Sequence, residues 1–263
     1  MVEIEAKFGT LMRDGERYQL PVLNACVINP QANSRLHFES TMSVLEHKSA
    51  NEFLNETIKQ SMLPGRVKMN YVHLYETDSF YALSDAGQQA LPRSIQQRQG
   101  TRKPRLRVTR RHAKDGSNAI VARIVKVSIA NLHIYNPGDN FDCRISINLE
   151  VNLDRPDLDL DSLISQDPQQ QVQEVDRKKD RVAYKHLAYS IDLTKVERQG
   201  LEASHELELE VDSTLLREQL ELLGQGRDNA FGDIVGGFWD NAVFLMDKRT
   251  QQNQAAPRPS AAA

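Results

Sequence analysis

Five glutamates dominate the chemistry this sequence can offer. Glu206, Glu208 and Glu210 occupy every second position of His205-Glu206-Leu207-Glu208-Leu209-Glu210-Val211, and Glu3 and Glu5 do the same in Val2-Glu3-Ile4-Glu5-Ala6-Lys7-Phe8. In an extended strand alternate side chains share one face, about 7 Å apart. Bringing two such rows together is repulsive and raises carboxylate pKa values unless cations intervene. A divalent metal is the simple remedy, and an all-oxygen donor set suits Mg²⁺ or Mn²⁺ rather than zinc. Basic residues recur with the same spacing, at Arg105 and Arg107 and at Arg177, Lys179 and Arg181, while Arg144 and Glu150 share one face of another segment. Converging Arg and Lys side chains suit a polyphosphate, which Arg grips by bidentate hydrogen bonds. Metal, carboxylates and guanidinium groups together are the components of phosphoryl transfer to water. Each feature alone has a plainer reading. A Glu-x-Glu-x-Glu row is commonly a solvated strand face, and an Arg-x-Lys-x-Arg row a solvated face or nucleic-acid patch. Their combination in one chain points to chemistry.

These rows need strands to position them. Strict apolar–polar alternation runs through 2–8, 105–109, 144–151, 191–194 and 205–211, and more loosely through 124–129, which predicts strands with one apolar and one polar face. Residues 71–83 read as one further strand or a pair. Ser49-Ala50-Asn51-Glu52 has capping-box spacing, so a helix carrying Phe53, Leu54 and Ile58 is expected up to about Met62, ended by Pro64-Gly65. Asp212 is placed to cap a helix bearing Leu215, Leu216, Leu220 and Leu223, and a last helix is expected over about 229–247. Residues 88–103 and 154–175 read as polar loops, and 251–263 as a disordered tail. Many strands with helices late in the chain predict a mainly β fold, a closed antiparallel barrel with flanking helices. The domain would span 1–249, with 250–263 as tail.

Composition narrows the class. The 263 residues carry a formal net charge of -3, with 40% hydrophobic and 26% charged side chains. The near-neutral balance argues against a generic nucleic-acid coat, yet it hides asymmetry: 102–126 holds nine Lys/Arg and one acid, 154–167 five acids and one Arg. No apolar stretch approaches the roughly 18–20 residues of a membrane-spanning helix, and the acidic opening Met1-Val2-Glu3-Ile4-Glu5 is unlike a signal peptide. Cys26 and Cys143 form neither a disulfide framework nor a zinc spacing.

The two glutamate segments, extended to Gly9, resemble the glutamate motifs of the fungal-type mRNA 5′-triphosphatases, the capping-enzyme beta subunits of the triphosphate tunnel metalloenzyme superfamily. The resemblance continues in order through Leu106-Arg107-Val108-Thr109, Lys126, Tyr135-Asn136-Pro137, 141–150, 177–181 and 191–196. It implies an eight-stranded antiparallel barrel enclosing a hydrophilic triphosphate tunnel. The implied activity is metal-dependent removal of the γ-phosphate from the 5′-triphosphate end of nascent RNA. By the same resemblance Glu3, Glu5 and Glu210 bind Mg²⁺ or Mn²⁺, Glu208 supports the metal or its waters, and Glu206 holds the site through basic partners. Arg107, Lys179 and Arg181 grip the phosphates with Lys126 nearby, and Glu150 orients or deprotonates the attacking water. Arg144, Arg177 and Asp192 brace the tunnel through ion pairs, Lys7 occupies a motif position, and Asp78 is a weaker acidic candidate. Implied partners are the 5′-triphosphate RNA end, an RNA guanylyltransferase subunit and the RNA polymerase II tail, in the nucleus.

Two departures stand out. The family carries a helical segment ahead of the first glutamate strand, so a missing leader is expected here, with homodimerisation tied to it. Some members also carry Arg where Ser190 stands. Arg110, Arg111 and Lys114 read as a solvated loop. Three alternatives stay open: a tunnel enzyme acting on inorganic polyphosphate, thiamine triphosphate or ATP; a non-catalytic module holding triphosphate ends; and a lipocalin-like barrel, whose interior would be apolar.

Overall fold

The computed structural model describes residues 1–29, 35–97, 103–137, 141–167, 169 and 175–247. Alternation decides the architecture. Along β1 (Val2–Arg13), Glu3, Glu5 and Lys7 line an internal cavity, while Ala6 and Phe8 are fully buried on the opposite face. The same split holds around a ring of antiparallel strands. From β1 it runs through β8 (Asp142–Asn152), β7 (Asn118–Tyr135), β6 (Arg105–His112), β5 (Asn70–Ala82), β9 (Arg177–His186), β10 (Tyr189–Glu197) and β11 (Ser204–Val211). Pairing of β11 with β1, Glu5 opposite Glu210 and Lys7 opposite Glu208, closes the barrel. The predicted eight-stranded barrel is therefore present, with its charged faces inward. A lipocalin-like interior is excluded. Residues 70–82 form one strand rather than two.

Turning the polar faces inward leaves an apolar exterior that must be covered. Helices α1 (Val44–Ser61), α5 (Ser213–Gly224) and α6 (Phe231–Met246) cover one side, where Phe8, Leu54, Leu193, Leu207, Leu209 and Ala242 are buried together. Short helices α2 (Asp85–Gln89), α3 (Arg93–Gln96) and α4 (Leu160–Leu163) cover another, over Leu106, Val108 and Val125. Segments expected as plain loops thus contain helical turns, because Leu91, Ile95 and Leu163 must reach the wall. The 251–263 tail lies outside the described residues. A third cluster, Leu11, Tyr18, Ile28 and Tyr135, forms where β2 (Glu16–Arg17) and β4 (Leu36–Glu39) pair with the far end of β1 and β3 (Cys26–Ile28) with the far end of β7. Asp142 ties this end to the barrel. Its fully buried carboxylate accepts from the backbone N–H of Leu11 and of Asn136, both at 2.8 Å, and pairs with Arg17. No described helix is long and apolar enough to cross a membrane, and Cys26 and Cys143 are free thiols.

The start of α1 corrects the sequence expectation. The capping box is Ser43 with Glu46, not Ser49 with Glu52: Ser43 Oγ accepts from the Glu46 N–H at 3.2 Å and the Ser43 N–H donates to Glu46 at 2.8 Å. Thr41 and Met42 are tied to the backbone of His205, so Ser43 is the first residue free to turn. Gly9 marks a close approach, since a Cβ there would meet the Glu39 carbonyl oxygen at 2.0 Å. Phe8→Ala, emptying a fully buried position between barrel and helices, should cost about 3–5 kcal/mol of stability, measurable by urea denaturation against wild type.

Candidate active site

The barrel encloses a cavity of about 990 Å³. Among the described residues nine carboxylates and nine basic side chains line it, so it is charge-balanced when empty. The pairs alternate around the wall. Lys126 Nζ stands between Glu3 (2.5 Å) and Glu5 (3.2 Å). Asn148 donates to the same two carboxylates at 2.9 and 3.3 Å. Lys7 pairs with Glu208 and, at 3.6 Å, with Glu5. Arg107 reaches Glu150 at 3.3 Å, Arg181 reaches Asp192 at 2.9 Å, and Arg177 reaches Glu206 at 3.2 Å. Lys179, almost wholly buried, lies 3.0 Å from Asp78 and 3.3 Å from Glu76. Thr109 donates to Asp78 at 2.7 Å, and Ser190 to Asp192 at 3.0 Å.

Every inward residue singled out from the sequence converges on this cavity except Arg144. That guanidinium makes no ion pair among the described residues; it lies over the Phe38 ring, 5.1 Å from its centre. The expected bracing ion pair is therefore replaced by a cation–π contact, because β4 folds back against the end of β1 beside it. Arg110 and Arg111 are on β6, not in a solvated loop. Arg111 lines the cavity and bonds Glu76 through Nε and a terminal nitrogen at 3.2 and 2.9 Å. Glu76 was missed by sequence reasoning, although its spacing from Asp78 was an available signal.

Two electrostatic features set the chemistry. Burial and then Glu3, with Asp192, Glu150 and Glu5, push the Glu210 carboxyl up to about 7; it has no cation partner among the described residues. Burial opposes ionisation of Glu208 as well, but Lys7 and Arg181 outweigh it and hold this carboxyl at about 2. Facing them, burial and then Arg181 lower the Lys179 pKa, against the pull of Asp78 and Glu76. The Nε–H groups of Arg107, Arg177 and Arg181 are buried without an acceptor among the described residues. Arg123 and Arg144 share that trait elsewhere, but only these three converge on one cavity. Within this paired lining, the cavity thus holds one carboxyl without a cation partner, Glu210, and three arginines with an unused Nε–H donor among the described residues. No three carboxylates converge into a ready-made metal-ligand set among the described residues, since Lys126 stands between two of them. The donor chemistry of Glu3, Glu5 and Glu210 nevertheless fits a hard divalent ion.

The family model for the mRNA capping enzyme, beta chain, matches residues 1–251. This chain belongs to that family. The beta subunit of the mRNA-capping enzyme of Schizosaccharomyces pombe is 34% identical over 251 residues, covering 93% of this chain and 73% of that protein. The Candida albicans beta subunit is 29% identical over 254 residues, covering 94% of this chain and 44% of its own length. Among solved structures, the S. pombe Pct1 RNA triphosphatase in complex with the Spt5 CTD matches with a TM-score of 0.73 at 33% identity, covering 94% of this chain and 86% of that one. The same triphosphatase alone matches with a TM-score of 0.71. The tunnel barrel of this capping-enzyme beta chain is therefore shared by sequence and by fold.

The Glu210 shift has a consequence for stability. The folded protein keeps a proton that the unfolded chain loses near pH 4.5, so stability falls as pH rises from there through about 7. Without divalent metal, Glu210→Gln should melt above wild type at pH ~8, by at most ~3 kcal/mol, and with it at pH ~4. Differential scanning calorimetry at the two pH values checks this; equal melting at both would remove the repulsion.

Proposed function

We propose that this chain hydrolyses the γ-phosphate of 5′-triphosphate-ended RNA, leaving a diphosphate end, the first step of mRNA capping. The observation that carries the reading is the tunnel itself: converging basic side chains and carboxylates line one cavity, in which Glu210 has no cation partner and the Nε–H groups of three arginines have no acceptor among the described residues. The family membership and the RNA triphosphatase fold support RNA as the substrate over free polyphosphates.

The residues divide the work. Arg107, Lys179 and Arg181 bind the non-bridging phosphoryl oxygens, with Arg177 and Lys126 contributing charge nearby. Asp192, Asp78 and Glu76 hold Arg181 and Lys179 in place before substrate arrives, so little reorganisation is needed as charge shifts onto the departing diphosphate. Glu150, held by Arg107, orients the attacking water and takes its proton. Glu3, Glu5 and Glu210 would hold Mg²⁺ or Mn²⁺, with Glu208 in support and Glu206 anchoring Arg177. The bound ion would neutralise phosphate charge and polarise the γ-phosphoryl group. A charge-balanced tunnel gives a reason for requiring it: a triphosphate entering alone would leave the cavity strongly negative.

The relatives' description as the beta subunit of a capping enzyme supports a partner subunit, which we assign as the guanylyltransferase. The Spt5 CTD complex of Pct1 supports docking of a transcription-linked tail, and the family resemblance adds the RNA polymerase II tail. Nuclear residence and self-association rest on that resemblance.

The test is phosphate release from a 5′-triphosphate RNA with and without Mg²⁺ or Mn²⁺. Arg181→Ala should lower kcat by ~10²–10³-fold, and Glu210→Ala should remove metal-dependent turnover. A Glu210→Ala metal-titration curve superimposable on wild type would take that residue out of the site.

A further inference from the structure

We propose that Phe80 is a stacking platform for the 5′-terminal nucleobase of the substrate, making the tunnel read the first nucleotide as well as its phosphates. The inward row of β5 is Glu76, Asp78 and Phe80. The first two hold Lys179; the third is the one aromatic side chain lining the cavity among the described residues. Packing gives no reason for it. Among the described residues Phe80 is half-buried, belongs to none of the three apolar clusters and forms no ring–ring contact, whereas its neighbour Tyr81 packs into the wall. An aromatic face turned into a tunnel of ion pairs gains nothing from water, but a planar base covers it well.

The ring's position relative to the phosphate-binding groups supports this. Phe80 is directly opposite Arg107 in the β5–β6 register, and directly opposed residues project side by side on one face. It stands roughly 7 Å along the strand from Asp78 and hence from the Lys179 anchor. Arg105, on the same face of β6, and Pro104 complete the surround. A nucleotide whose phosphates reach Arg107 and Lys179 therefore brings its base to the ring. Stacking on an aromatic face tolerates every base, which suits an enzyme acting on transcripts with differing first nucleotides.

The inference rests on the triphosphatase reading, and the experiment separates the two. Equilibrium binding is measured for β,γ-imido ATP by calorimetry and for tripolyphosphate, which has no base, by competition. Hydrolysis of 5′-triphosphate RNA and tripolyphosphate is assayed in parallel. Phe80→Leu should lower the ratio of nucleotide to tripolyphosphate affinity on the order of tenfold, and the ratio of kcat/KM values alike. Phe80→Trp should restore both. Phe80→Met serves as a second aliphatic replacement where the leucine variant does not fold. Equal weakening of both ligands, or no change in the ratio, overturns the proposal. Failure of the wild-type protein to release phosphate from RNA overturns the triphosphatase reading, while the binding ratio still decides Phe80.

Discussion

Charge inside this barrel survives only in pairs. At a separation near 4 Å an ion pair is worth about 4 kcal/mol at an effective dielectric constant of 20, yet each ion taken from water costs several. The wall answers with opposed registers: Lys7 across from Glu208, Lys126 across from Glu150, Glu76 across from Lys179, Asp78 across from Arg177. The balance is global but not local. Glu210 is surrounded by Glu3, Asp192, Glu150 and Glu5, and its proton is held to about pH 7. Burial, then Arg181, loosens the Lys179 proton against the pull of Asp78 and Glu76. A buried carboxyl among other carboxylates and a buried amine beside a guanidinium, in one cavity, suit a ligand with a positive and a negative part. A metal-bound phosphate has both.

The ion-pair interior dictates the rest of the molecule. With polar side chains turned inward, the barrel has no core of its own, and its packing energy must come from outside. Phe8, Leu207 and Leu209 alternate with Lys7, Glu206 and Glu208 along the same two strands, so each strand supplies the tunnel with one face and the helical layer with the other. A one-residue slip would exchange the two sets. The caps of α1 at Ser43 and of α5 at Asp212 start helices that lie against this apolar wall. Fold and site are thus specified by one alternation.

That alternation is why so much was legible in the sequence. The strands, the shared face of the carboxylates and the helices late in the chain follow from periods of two and 3.6; which face turns inward does not, and rests on the clustering of the carboxylates. What stayed hidden has a physical reason in each case. The 124–129 segment reads loosely because apolar Ile124 stands at the alternate position shared with Lys126 and Ser128, and the register shifts of β7 on its two sides, at Val121 and Ile129, keep the period of two from extending in either direction. Arg111 looked solvated because the basic run around it resembles a loop, and only its pairing with Glu76 shows which face it takes. Ser-x-x-Glu occurs at both Ser43 and Ser49; the tertiary tie of Met42 to His205 chooses between them. The short helices α2, α3 and α4 exist because the wall needs cover there, information absent from their own residues.

The division between wall and tunnel also explains how the site tolerates its own strain. Raising the Glu210 pKa, lowering that of Lys179 and burying arginine Nε–H groups without acceptors all cost stability. Those costs fall on inward side chains that contribute little to packing, while the clusters that hold the fold lie on the opposite faces of the same strands. Had the barrel been filled with apolar side chains, like one enclosing a small hydrophobic ligand, every polar intrusion would have removed core. Here the interior carries no packing load, so each position can be set by its charge. The Nε–H donors of Arg107, Arg177 and Arg181 and the Glu210 carboxyl then remain in the folded protein as groups that a triphosphate and its cation can satisfy.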